Sequence, residues 1–130
     1  MNLKTFYEFD LSSPVVRAIS MIGFEAATPI QEETIPLALA GEDIIGQAQT
    51  GTGKTAAFGI PLIERCDAEE KGAQAVILTP TRELAVQVAE ELNKIGQVKG
   101  IRTIPIYGGQ SIDRQIKALK NNPHLIVATP

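Results

Sequence analysis

Apolar residues in the first forty positions recur at helical spacing. Val15, Ile19 and Ile22 stand four and three apart, which places them on one face of a helix. Ser12-Ser13-Pro14 supplies its start and Gly23 its stop. Thr28-Pro29-Ile30-Gln31 opens a second helix, with Thr28 as cap, Pro29 in the first turn and Gln31 three residues past the cap. Pro36 is expected to kink or break that helix, and Gly41 to end it. The pattern then alternates. Residues 43–46 predict a strand and residues 54–65 a helix, followed by a polar connection over 67–72. Residues 74–79 form a continuous apolar run, as in a strand buried on both faces. Leu84, Val88, Leu92 and Ile95 mark an amphipathic helix. Residues 101–107 predict a strand closed by Gly108-Gly109, and Ser111 caps a helix with Ile112, Ile116 and Leu119 on one side. Residues 125–128 make a last strand. Strand–helix alternation predicts an α/β fold, a parallel sheet with helices on both faces. Ligands of such sheets gather at the carboxyl ends of the strands. The loops at 48–55, 80–82, 108–110 and 129–130 are therefore expected on one rim.

Bulk composition narrows the class. With 130 residues, 44% hydrophobic and 21% charged, the chain reads as an ordinary globular domain. No apolar run approaches the ~20 residues that span a bilayer, and residues 1–6 lack a signal-peptide pattern. A cytoplasmic protein with no membrane partner is expected. The single Cys66 cannot form an internal disulfide and reads as a small residue near a helix end; one Cys and one His make a metal cluster unlooked-for. The net charge of −3 argues against a general nucleic-acid binder but leaves room for a local basic strip. Lys94, Lys99, Arg102, Arg114, Lys117 and Lys120 are interspersed on helix faces and loops, and read as solvated charge.

The strongest chemical signal is Ala48-Gln49-Thr50-Gly51-Thr52-Gly53-Lys54-Thr55, between the first expected strand and its helix. That order is the context of a phosphate-binding loop. Gly51 and Gly53 let the backbone turn its N–H groups toward an anion, and the helix N-terminus adds positive charge. Lys54 can reach the β- and γ-phosphates, and the Thr55 hydroxyl can ligate Mg²⁺. The strict pattern begins with Gly where this chain has Ala48. The plainer alternative is a strand–turn–helix junction with a solvated Lys. The loop names neither the base nor the use of the energy.

With these loops in order, the chain resembles the DEAD-box RNA helicases, in the first half of their N-terminal recA-like domain. Phe6 lies 17 positions before Gly23, and residues 23–31 (GFEAATPIQ) resemble the Q motif. Residues 48–55 resemble motif I, which itself carries Ala at the first position; Pro80-Thr81-Arg82-Glu83-Leu84-Ala85 resembles motif Ia. Gly108-Gly109 resembles the GG motif, and Thr129-Pro130 the opening of motif Ib. Ala27 departs from the family's usual Pro and is expected to loosen its loop slightly. The D-E-A-D motif, the S-A-T motif and the second recA-like domain do not occur in these 130 residues. The resemblance thus implies a portion of such an enzyme, inactive in ATP hydrolysis alone. It divides into a helical extension carrying the Q motif (1–41) and the first part of the ATP-binding domain (42–130).

The resemblance also implies roles. Phe6 and Gln31 hold adenine; Ala48, Gln49, Thr50, Gly51, Thr52 and Gly53 cradle phosphate. Lys54 and Thr55 serve catalysis, with Mg²⁺ on Thr55. Pro80, Thr81, Arg82, Gly108, Gly109 and Thr129 face the RNA backbone. ATP and RNA are the implied ligands, and RNA-processing or ribosome-associated proteins the candidate partners. Each assignment has a structural rival. Gln31 fits a capping box with Thr28, although its amide also matches adenine N7 and N6–H₂. Phe6 belongs to an apolar N-terminal cluster with Tyr7 and Phe9, Phe9 being the better core candidate. Thr81 can be a helix cap, and the two glycines a strand end. At the level of the molecule, the rivals to an ATP-dependent RNA helicase are a non-catalytic nucleotide-binding or adaptor module and a phosphate-loop ATPase acting on DNA.

Overall fold

A computed structural model describes residues 4–49, 51 and 53–130. Helix α1 (Ser13–Ile22) follows the Ser12 cap with Pro14 in its first turn, and stops at Gly23, whose φ of 93° lets its N–H return to Ile19 and Ser20. Helix α2 (Pro29–Leu39) follows the Thr28 cap and ends before Gly41, at φ 86°. Of the kink or break expected at Pro36, the break does not occur: the helix continues through it. Pro36 is exposed, so the Glu32 carbonyl that loses its helical donor can turn toward water. Helix α3 (Lys54–Arg65) likewise continues through Pro61.

Three short strands form the sheet: β1 (Ala75–Leu78), β2 (Thr103–Ile106) and β3 (Leu125–Ala128). All pairings are parallel, in the order β1-β3-β2. Helix α4 (Arg82–Gly96) joins β1 to β2 across β3, and α5 (Ile112–Leu119) leads back to β3. The two crossovers run in opposite directions, so right-handed connections place α4 and α5 on opposite faces. The α4 face is thick: α1 and α3 pack on α4, which lies on β2 and β3. Its core is built on Ile19, Ile35, Ile60, Ile63, Leu92, Ile95, Leu125 and Val127. The α5 side is thin, and α5 buries no residue.

Two strand expectations are corrected. Residues 43–46 form no strand, and Ile45 is 95% exposed. A strand exists only through ladder bonds, and none of the three strands runs beside this segment. Gly46 instead packs under Ile30 and Thr34 of α2. The 74–79 run does contain β1, but not buried on both faces: Val76 and Leu78 are 61% and 70% exposed. They lie on the face that α4 does not cover.

The outer edge of β2 is closed donor by donor. Arg102 and Ile106 turn their carbonyls to β3, so the alternate residues Thr103, Pro105 and Tyr107 point outward. The Asn93 carboxamide of α4 takes the Thr103 N–H (2.8 Å) and donates to the Thr103 carbonyl (2.9 Å). Pro105 has no N–H to offer. The Tyr107 N–H donates to Oε1 of Gln115 in α5 at 3.1 Å. An edge so treated resists pairing with another chain.

Polar side chains tie the remaining joints. Glu64 accepts from both the N–H and the hydroxyl of Ser12 (2.9 Å each), fixing α1 on α3. His124 Nδ1 accepts from the Arg102 N–H, so Nε2 carries the proton and donates to the Ala68 carbonyl, both at 3.0 Å. Lys99 donates to the carbonyls of Ile63 and Glu64, and Arg102 to those of Asn121 and Asn122. Lys99 thus satisfies the carbonyl end of α3, and Arg102 holds the turn that follows α5. Cys66 is buried at the α3 terminus; burial pushes its thiol up, Lys99 pulls it partly back and Glu70 adds to the rise.

Candidate functional site

The site grows from the start of α3. Gly51 and Gly53 both hold φ at 82°, the left-handed backbone that glycine adopts without strain. Gly53 is the N-cap of α3 and has no side chain to cap it. Its first turn also lacks an acidic residue. The orphan amides and the dipole of this turn are therefore left for an anion. Lys54 is exposed and Thr55 half-buried at the mouth. Ala48 is half-buried and Gln49 exposed; Thr50 and Thr52 lie outside the described residues.

Gln31 reaches this loop from α2. Its Oε1 accepts from the Thr28 N–H at 2.9 Å, completing the capping box, and its Nε2 donates to the Gly53 carbonyl at 3.2 Å. A Cβ on Gly53 would lie 2.3 Å from Nε2, so the glycine makes room for the amide. The cap is real, and the same side chain also struts the loop. Sequence spacing shows the cap alone, because the Gly53 contact joins positions 22 apart.

Phe6 is 2% exposed. It stacks on Phe24 with centroids 6.2 Å apart and tilts against Phe9 at 5.9 Å. Phe9 is buried as well. The segment before Phe6 is pinned to the Q-like loop by a Thr5–Ala26 bridge and by the Ala27 N–H donating to the Lys4 carbonyl at 2.8 Å. Proline at 27 would lack that donor. Ala27, fully buried, thus ties its loop rather than loosening it.

A second group forms at the carboxyl ends of the strands. Thr81 accepts from the Leu84 N–H at 3.1 Å and caps α4. Arg82 is exposed and lies over Gly109, where a Cβ would meet Nη1 at 2.6 Å. The Thr129 N–H donates to the Ile106 carbonyl. The buried Thr79 hydroxyl is shared between the Thr81 and Ala128 carbonyls at 3.4 and 3.3 Å, lacing the loop after β1 to the end of β3. Pro80, Thr81, Arg82, Gly108, Gly109 and Thr129 therefore share one rim. Gly51, Gly53, Lys54 and Thr55 open into a cleft of about 960 Å³ whose far wall includes Thr79 and Pro80. The phosphate-loop residues thus border a common space with Pro80, the first residue of this rim.

Comparison with known proteins fits this layout. The family model described as DEAD/DEAH box helicase matches residues 28–130. The DEAD-box ATP-dependent RNA helicase CshA of Bacillus licheniformis is 65% identical over 126 residues, 97% of this chain and 26% of that protein. The CshA of Geobacillus kaustophilus is 60% identical over 128 residues, 98% of this chain and 27% of that protein. The crystal structure of a DEAD box protein from the hyperthermophile Methanococcus jannaschii superposes with a TM-score of 0.92 at 48% identity, covering all of this chain and 36% of that one. The chain thus spans about a quarter of the length of these curated relatives. Among the described residues no helix is long and apolar enough to cross a membrane. From the phosphate loop to the last strand, in sequence and in fold, the chain belongs to the DEAD/DEAH box helicase family.

Proposed function

We propose that this chain is the ATP- and RNA-binding portion of a cytoplasmic ATP-dependent RNA helicase, which opens short duplexes or remodels RNA–protein complexes. The observation that carries the reading is the start of α3, where two left-handed glycines lead into a first turn whose N-cap residue has no side chain and which holds no acid. That turn fits a polyphosphate. Lys54 adds a mobile positive charge beside it, and the Thr55 hydroxyl is the group to hold Mg²⁺. The metal, when bound, offsets phosphate charge.

Residues 1–41 act in this reading as the helical extension carrying the Q motif, and 42–130 as the first part of the recA-like domain. Gln31 keeps one lone pair and one N–H beyond the two bonds it makes. These match the N6–H₂ donor and N7 acceptor of adenine. Stacking a base on Phe6 requires Phe24, 39% exposed, to swing off the ring. The rim of Pro80, Thr81, Arg82, Gly108, Gly109 and Thr129 takes RNA phosphates and ribose, with the α4 N-terminus as an anion site. RNA-processing or ribosome-associated proteins are the partners that suit this role.

The test is ATP turnover by the intact protein with single-stranded RNA, with single-stranded DNA and with neither. RNA should stimulate turnover, DNA should not, and Lys54→Ala should abolish it. The 130-residue chain alone should bind ATP without measurable hydrolysis. Equal turnover in all three conditions, or DNA stimulation matching RNA, would refute the reading.

A further inference from the structure

We propose that Gln115 is a positioning residue for RNA binding: its carboxamide holds the Tyr107 N–H and so sets the turn that presents Gly108 and Gly109. The inference rests on the reading of that rim as the RNA site.

Three observations lead there. Tyr107 is the last outward-facing donor of the β2 edge, directly before the two glycines. Gln115 sits one turn into α5, and its Oε1 spans back to that donor at 3.1 Å in a half-buried setting. The loop is thus held by Ser111 capping the helix on one side and by Gln115 on the other. Beyond the bond, Gly109 turns at φ 83° and Arg82 lies so close that a Cβ there would meet its guanidinium at 2.6 Å. Arg82 and Gly109 can share a ligand only while the turn keeps this seat. A loop of Gly-Gly has little stiffness of its own. The Gln115 bond supplies it from outside the loop.

The rival role for Gln115 is edge closure alone, and Asn93 provides the comparison. Asn93 closes the same edge at Thr103, the end of β2 away from the rim. A purely structural bond should behave alike at both ends.

The experiment uses the intact protein with a non-hydrolysable ATP analogue and a fluorescent oligouridine. Gln115→Met, and Gln115→Ala as a second variant, should weaken oligouridine about 3- to 10-fold, the size of one lost hydrogen bond. Affinity for a fluorescent ATP analogue should stay unchanged. Asn93→Leu should lower the melting temperature yet leave oligouridine affinity of the folded protein as in the wild type. If the Gln115 variants bind oligouridine normally while Arg82→Ala binds it weakly, the positioning role is overturned and the RNA rim stands. Equal weakening by Asn93→Leu and Gln115→Met also overturns it, in favour of edge stability. If neither Arg82→Ala nor Gln115→Met affects oligouridine, the rim reading itself fails.

Discussion

Gln31 divides its carboxamide between two elements, and a substitution can separate them. As a cap, Glu at this position of α2 serves as well as Gln. Toward Gly53 it does not, since an oxygen would replace the Nε2 donor that meets the carbonyl at 3.2 Å. Gln31→Glu should therefore keep the cap but lower stability by about 1–3 kcal/mol, since the buried side chain loses its donor to the Gly53 carbonyl, and should weaken a fluorescent ATP analogue on the folded protein by a similar amount, about 1–3 kcal/mol. Equal nucleotide affinity in both proteins would reduce Gln31 to a cap. The same residue shows what the sequence could reveal at this scale. Bonds between close neighbours, such as Thr28 with Gln31 or Thr81 with Leu84, follow from local spacing. The Gln31–Gly53 and Gln115–Tyr107 bonds do not, because the fold sets their partners. Ala27 is a third case: its departure from proline reads as a loss until the Lys4 carbonyl appears opposite its N–H.

Between elements, α3 and α4 approach closely at Gly59. Gly59 lets Leu92 in so tightly that an added Cβ would lie 2.6 Å from Cδ2. Two effects oppose each other there. Alanine raises helix propensity by about 0.8–1.0 kcal/mol over glycine. Overpacking a filled core costs about 1–3 kcal/mol. Leu92 is fully buried, so the clash should win. Gly59→Ala should destabilise the chain by about 1–2 kcal/mol in urea unfolding, and Gly59→Ala with Leu92→Ala should recover part of the clash. A stabilised single variant would show that α3 and α4 can slide apart freely. Most helices were legible because caps and apolar spacing act locally. Residues 43–46 were not: their composition suits a strand, but a ladder needs a neighbour, and sequence pattern does not supply one. Pro36 fails to break α2 for the converse reason, since an exposed helix side tolerates a missing bond that a buried side would not.

Over the whole molecule, cover is uneven. The α4 face carries the core, while Val76, Leu78, Ile45 and Ile112 stand 61%, 70%, 95% and 70% exposed. Apolar surface of this kind promotes association. The double substitution Val76→Lys and Leu78→Lys should suppress light scattering of the 130-residue chain at high concentration, with stability changed by no more than about 0.5 kcal/mol, as for surface substitutions. Unchanged scattering would place the adhesive surface elsewhere. The closed edge of β2 adds a rule of stoichiometry. With Asn93, Pro105 and Gln115 occupying that flank, β1 is the flank left for pairing. A body with one sticky edge cannot join head to tail. Two copies meeting edge to edge must be related by a two-fold axis, with their β1 strands antiparallel, and that union uses up the edge of each. Edge pairing in this sheet therefore ends at two copies, where a sheet open on both flanks would propagate as a fibre.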